Sequence, residues 1–299
     1  MTHANPAGPS DTADPGGAPH SGGAAPAGRR RRSATLVTGC VLAGTIVAVA
    51  VISLFWVPFS PEDTSGGRLA PPGPPHLLGT DKLGRDLLTQ LMIGARVALT
   101  AGLGSVALGG LLGVVAGLLA GFATRWLDDT ISALLDILIA FPTLLLAMLV
   151  VAAREASLGS AILAIGLAMS AIVARLTRVL VKRVLAQDFI TASRTSGTSW
   201  PRVVAEHVLP NIWPTLLVNL ALQLGLAVLA EASLSYLGLG APPPNASWGR
   251  MLQEAQATVL TAPLGAIAPG VLLVVLVVGV NLVADGLRDV ADPTRRRTR

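Results

Sequence analysis

The stretch VKRVLAQDFITASRTSGTSWPRVVAEHVLPNIWP, residues 181–214, is a polar island in an otherwise apolar chain. Apolar spans flank it, 161–174 before and 216–232 after, so it is expected to lie outside the bilayer between two membrane crossings. Its interior is not loop-like. Phe189, Ala192, Ser193 and Ser196 recur at helical spacing, and Val203, Val204, His207 and Val208 do so again. Between the halves stands Gly197, a natural helix stop because glycine enters the left-handed region without a steric penalty. Ser199 is expected to cap the second half through its side chain, with Pro201 tolerated in the first turn. The reading is two short helices with a fixed bend.

Composition agrees with a membrane protein. The 299 residues are 52% hydrophobic and 13% charged, with a mean hydropathy of +0.65, too little polar material to cover a soluble globule. The net charge of +5 comes from basic residues at the ends of apolar runs, without an aromatic-interleaved patch. Topology accounts for them, and no nucleic-acid partner is expected. Cys40 is the single cysteine and lies in an apolar run, which excludes an intrachain disulfide or a thiolate metal site.

Residues 1–32 open with Pro, Gly, Ala and Ser and are expected to be a disordered tail ending in four arginines. Residues 33–57 are uncharged and long enough to cross about 30 Å of hydrocarbon. Their ending, Leu54-Phe-Trp-Val57, is interfacial, so an uncleaved first span is expected over a cleaved signal peptide. Residues 58–93 read as an external loop followed by an amphipathic segment, and a second apolar run covers 97–122. Within that run Gly109, Gly113, Gly117 and Gly121 form one helical stripe, expected to admit another helix of the same chain closely. Arg125, Asp128 and Asp129 mark an expected short loop. A third span at 131–152 is interrupted by Asp136 and Pro142, and a fourth runs from Leu158 toward Arg175 and Arg178. The fifth covers 214–237, residues 238–263 read as loop, including Pro242-Pro-Pro and Trp248, and the sixth covers 264–287. The core is thus expected at 94–288, its polar loop at 182–213, and a basic tail at 289–299.

Six spans place both termini on one side. If that side is the cytoplasm, sixteen Lys and Arg lie inside: residues 29–32, Arg125, the six between Arg175 and Arg202, and the five from Arg288 onward. Six remain outside: Arg68, Lys82, Arg85, Arg96, Arg154 and Arg250. The positive-inside rule then makes the polar island cytoplasmic.

The chain carries no visible energy source. A phosphate loop needs Gly-Lys-Ser/Thr, whereas Lys82 follows Asp81 and Lys182 follows Val181. His3, His20, His76 and His207 form no metal-ligand pair, and no Gly-x-Ser-x-Gly elbow occurs. No catalytic residue, metal or resident cofactor is expected, and the chain is not expected to be an enzyme. Polar residues inside spans either line a solute path or hold the bundle together: Asn219, Gln223 and Glu231 in the fifth, Asn281 and Asp285 in the sixth.

These residues resemble a known family. Thr191-Ala192-Ser193, Gly197 and His207-Val208-Leu209-Pro210 are similar to the cytoplasmic signature loop of binding-protein-dependent ABC importer permeases. Around it, Leu78-Gly79-Thr80-Asp81-x-Leu83-Gly84-Arg85-Asp86, Gly94-Ala95-Arg96-Val97, Ala140-Phe141-Pro142-x-Leu144-Leu145-Leu146-Ala147 and Ala230-Glu231-Ala232-Ser233-Leu234-Ser235 resemble the C-type subunit of the dipeptide, oligopeptide and nickel subfamily. The resemblance implies an all-α integral membrane protein of the type-1 ABC importer fold, with both termini cytoplasmic. It implies a heterodimer with a second permease, two cytoplasmic ATPase subunits or domains that use ATP, and an external solute-binding protein. Thr191, Ala192, Ser193, Gly197, His207, Leu209 and Pro210 become the expected ATPase-coupling residues. Peptides are the expected cargo, with nickel or another small solute as the alternative. A stand-alone secondary transporter would require inverted halves and charges near the midplane, and the sequence displays neither.

Overall fold

Apolar residues at helical spacing, with prolines and glycines concentrated at the joints, fold this chain into helices. The computed structural model describes residues 27–242 and 245–291; among these the only β pairing is an isolated bridge between Thr80 and Asp86. Most of the expected tails, 1–32 and 289–299, and Pro243 and Pro244 lie outside the described residues. The elements are α1 (Ala27–Phe55), α2 (Leu87–Phe122), α3 (Arg125–Ala140), α4 (Thr143–Ala152), α5 (Leu158–Leu185), α6 (Asp188–Thr195), α7 (Trp200–Val203), α8 (Leu209–Tyr236), α9 (Trp248–Ala255) and α10 (Leu264–Ala291). A widened π-helical turn, Val204–Val208, joins α7 to α8.

Five segments are long and apolar enough to cross a bilayer, and the α3–α4 pair is a sixth, bent by 89°. Pro142 causes the break: it has no N–H to give, and its ring drives Phe141 into an extended conformation at φ −75°, ψ 131°. The helix senses show that this broken pair makes one traverse. Gly109 lies against the Gly166 carbonyl and Gly121 against Val181, so α2 and α5 run parallel, and the chain must return across between them. Gly102 meets Leu224 and Val228 while Gly110 meets Leu220, so α8 runs antiparallel to α2. Gly39 faces Leu282, and Gly286 faces Leu36, making α1 and α10 antiparallel, with Ala27 and Ala291 toward the same side.

The glycine stripe is the seam of the bundle. A Cβ at Gly113 would stand 2.7 Å from the Ser170 carbonyl, and one at Gly117 2.6 Å from that of Ala174. Lipid offers helices no hydrophobic reward for meeting, so backbone approach and dispersion set this contact.

Three boundaries differ from expectation. Asp86 accepts from the Thr89 N–H and caps α2, so the amphipathic segment before Gly94 belongs to the same helix as the second span. The expected loop at Arg125, Asp128 and Asp129 is the first turn of α3, because Asp128 folds back onto Arg178 and Lys182 of α5. The stretch 238–263, read as loop, contains α9, with Trp248, Met251 and Ala255 on its buried face and Ser247 accepting from the Arg250 N–H at its start. Eight residues are too few for a periodic signal to stand out from a proline-rich surround.

Candidate functional site

The polar island folds as a helical hairpin. Gly197 adopts φ +86°, its N–H bonds the Arg194 carbonyl (3.0 Å), and the Thr198 N–H bonds that of Ser193 (3.2 Å). This pair of bonds closes the end of α6 in a Schellman turn. Arg194 then reaches forward: its guanidinium lies 4.3 Å from the centre of the Trp200 ring and bonds the Thr198 carbonyl. Trp200 in turn meets Phe122, at the end of α2, edge to face at 5.4 Å. Ser199 occupies the cap position of α7 without the expected side-chain hydrogen bond; its carbonyl accepts from the Val203 N–H instead. Pro201 does sit in the first turn.

An apolar cluster roots the hairpin in the bundle. Ile190, Val203, Val208, Ile212 and Leu216 are buried with Val181 of α5, and Leu209 packs against them. The buried residue of α6 is Ile190 (3% exposed), while Phe189, the first position of the sequence pattern, is 45% exposed. Thr191 and Ala192 are exposed, as is Pro210; Ser193 and His207 are half-buried and share a 3.1 Å hydrogen bond that ties α6 to the π turn. Phe189 lies edge-on to His207 at 6.0 Å. The Arg194–Trp200 stack was not singled out from sequence, although an arginine and a tryptophan flanking a helix-stop glycine are a detectable pattern.

The polar residues within spans fall into different settings. Glu231 is 1% exposed and accepts a 2.6 Å hydrogen bond from Ser235 at the far end of α8. Asn281 on α10 lies beside Gly225 of α8, and Asp285, one turn on, is exposed. Asn219 Oδ1 and Gln223 Nε2 are buried without a hydrogen-bond partner among the described residues.

At the end opposite the hairpin, the motif at 78–86 builds a clasp. Asp81 Oδ1 accepts from the Leu83 and Arg85 N–H groups (2.8 and 2.9 Å), and Arg85 bridges to Glu254 of α9 at 2.8 Å. Glu254 also receives Arg250 (2.9 Å), and Asp86 pairs with His76 at 3.0 Å. Trp248 is 1% exposed, donates Nε1–H to the Leu91 carbonyl (3.1 Å) and lies over Gly94. Trp248→Ala is therefore expected to lower stability by about 3–5 kcal/mol, whereas Trp248→Phe, which keeps most of the ring, should cost far less; thermal melting of the detergent-solubilised protein distinguishes them.

The profile of the family described as "Binding-protein-dependent transport system inner membrane component" matches residues 113–297. The chain belongs to this family. It is thus a multi-pass inner-membrane protein, the permease subunit of an importer. It is 34% identical over 264 residues to the dipeptide transport system permease protein DppC of Alkalihalophilus pseudofirmus, spanning 88% of this chain and 87% of that one. It is 39% identical over 255 residues to the di/tripeptide transport system permease protein DppC of Pseudomonas aeruginosa (83% and 84%). A glutathione transport system permease protein, GsiD of Pectobacterium atrosepticum, is 36% identical over 261 residues (85% and 86%). Among solved structures, an inward-facing form of the MetNI methionine ABC transporter shares the fold at a TM-score of 0.58 and 21% identity, covering 69% of this chain and 98% of the other.

Proposed function

We propose that this permease forms, with a second permease, the path through which peptides handed over by an external binding protein enter the cell, and that ATP hydrolysis by separate cytoplasmic subunits drives it through the 188–203 hairpin. The observation that carries this reading is the hairpin's construction: it is rigid, rooted, and bare on its outer face. Phe189, Thr191, Ala192 and Trp200 are exposed, while Ile190 and Val203 beneath them are locked into the bundle. A lever needs this combination, because a force applied to the outer face is transmitted only if the inner face cannot slip. Sixteen inside basic residues against six outside support a cytoplasmic hairpin. Peptides are favoured as cargo because relatives that cover more than four-fifths of the chain are named for dipeptide and di/tripeptide transport.

The test is co-expression with candidate ATPase, permease and binding-protein subunits, followed by reconstitution into vesicles. ATPase subunits are expected to co-purify with the tagged chain, and radiolabelled dialanine to accumulate only with ATP and the binding protein. Accumulation driven by an ion gradient without ATP would refute the reading. Ala192→Glu, which places a charge on the bare face, should reduce ATPase co-purification at least tenfold without lowering the amount of chain in the membrane.

A further inference from the structure

The break between α3 and α4 falls within one bent span, where Phe141 to Leu145 are exposed, and leaves the first turn of α4 with donors that lack acceptors. Pro142 at the cap position has no side-chain oxygen to receive the first-turn N–H groups of α4, and the first of its helical bonds is Leu146 N–H to the Pro142 carbonyl. The N–H groups of Thr143, Leu144 and Leu145 thus have no acceptor among the described residues and carry the positive end of the helix dipole. Thr143 and Leu144 line a cleft of about 220 Å³ between α4, α5 and α8, whose walls are otherwise residues such as Met169, Ile172 and Leu226.

Gln223 lines the same cleft. It is 4% exposed, it makes no hydrogen bond among the described residues, and its Nε2 is buried without an acceptor. Asn219, one turn earlier, has a free Oδ1. Even a rotation that paired these two amides would use only one of the two Nε2 hydrogens. Ser233, the other polar residue of α8 in the cleft, spends its hydroxyl hydrogen on the Leu229 carbonyl (2.8 Å). The cleft therefore holds a buried donor, Gln223 Nε2, that no acceptor among the described residues receives, inside a largely apolar wall, where an unpaired buried donor costs about 1–3 kcal/mol. Its depth fits a path: Gln223 lies midway along α8, and Thr143 is nine residues, about 13.5 Å, from the other end of α4.

We propose that this cleft is a subsite of the translocation path that receives a carbonyl or carboxylate oxygen of the passing peptide, with Gln223 and the first turn of α4 as its donors. The assignment rests on the importer reading above. A lipid acyl chain would fill the apolar wall but offers these donors no oxygen.

The experiment uses the complete reconstituted importer with radiolabelled dialanine and its C-terminal amide. Gln223→Leu is expected to lower dialanine uptake about tenfold, the effect of losing a hydrogen bond to a charged group. Binding-protein-stimulated ATP hydrolysis should stay within about twofold of wild type, and melting should not fall, because the variant removes an unsatisfied buried amide. Gln223→Asn should retain part of the uptake. Gln223→Glu should depress uptake of dialanine more than of dialanine amide if the terminal carboxylate is the bound group, and both alike if a main-chain carbonyl is. Wild-type kinetics in Gln223→Leu would overturn the subsite alone. Failure of the wild-type complex to accumulate dialanine with ATP would overturn the peptide-importer reading and the subsite with it.

Discussion

Replacing Gly197 by proline is expected to abolish transport while leaving the chain in the membrane. Gly197 sits at φ +86°, and proline is held near −65°, so the Schellman turn cannot form with proline in it. The substitution also removes the N–H that bonds the Arg194 carbonyl. Without that turn Arg194 loses its seat over Trp200, and α6 is no longer held at a fixed angle to α7. The transmembrane seams do not involve this residue, so insertion and abundance should match wild type. ATP-driven uptake in vesicles should fall by at least about 100-fold, the size expected when several kilocalories of local order are lost. Gly197→Asn is the discriminating control. A Cβ there meets nothing within 4 Å, and asparagine tolerates the left-handed region, so most uptake should remain. Uptake by Gly197→Pro close to that of wild type would show that the bend is not mechanically required.

Filling the α2–α5 seam should have the largest effect on stability. In Gly113→Leu/Gly117→Leu the two new Cβ atoms would fall 2.5 Å from Val173 Cβ and 2.5 Å from Thr177 Cβ, with backbone carbonyls at 2.7 and 2.6 Å behind them. Neither obstacle is the movable tip of a side chain, so the helices must separate along the seam, and overpacking of even a single site costs about 1–3 kcal/mol. The double variant is expected not to accumulate as a monodisperse protein on size-exclusion chromatography, and Gly117→Ala alone to lower the melting temperature. Gly44→Ala on α1, with open space around the glycine, should melt like wild type. A normal melt for the double variant would mean that α2 and α5 do not meet along this stripe.

Much of this architecture could be read from hydropathy and spacing, because each span is long enough for its composition to outvote local exceptions. The glycine stripe was legible for the same reason: four repeats at one spacing leave little ambiguity about the face. The hairpin's existence followed from Gly197, but its buried face did not. Phe189 and Ile190 are equally apolar, and only the position of Val181 across the fold decides that Ile190 turns inward. The π turn was invisible because nothing in Val204–Val208 is unusual by itself. It lies just before Pro210, whose ring in an ordinary helical turn would press on the carbonyl four residues back. α9 and the clasp at 78–86 depend on pairs distant in sequence, such as Arg85 with Glu254, and such pairs leave no local trace. Gln223 was visible as a polar residue in a span, whereas its lack of a partner became apparent only once its neighbours were in place.

The π turn also sets an angle. The Leu209 N–H reaches back to the Val204 carbonyl, five residues rather than four, so one residue is threaded into the helix without advancing its phase in the ordinary way. Each residue of an α-helix turns the chain by about 100°, so the outer face of α6 and α7 points where it does, relative to α8, by virtue of that single extra residue. The number of residues between Gly197 and Pro210 is then a torsional setting, comparable to the cut of a keyway in a drive shaft. A chain of the same composition with one residue more or fewer in this interval would present a different side of the hairpin to whatever grips it.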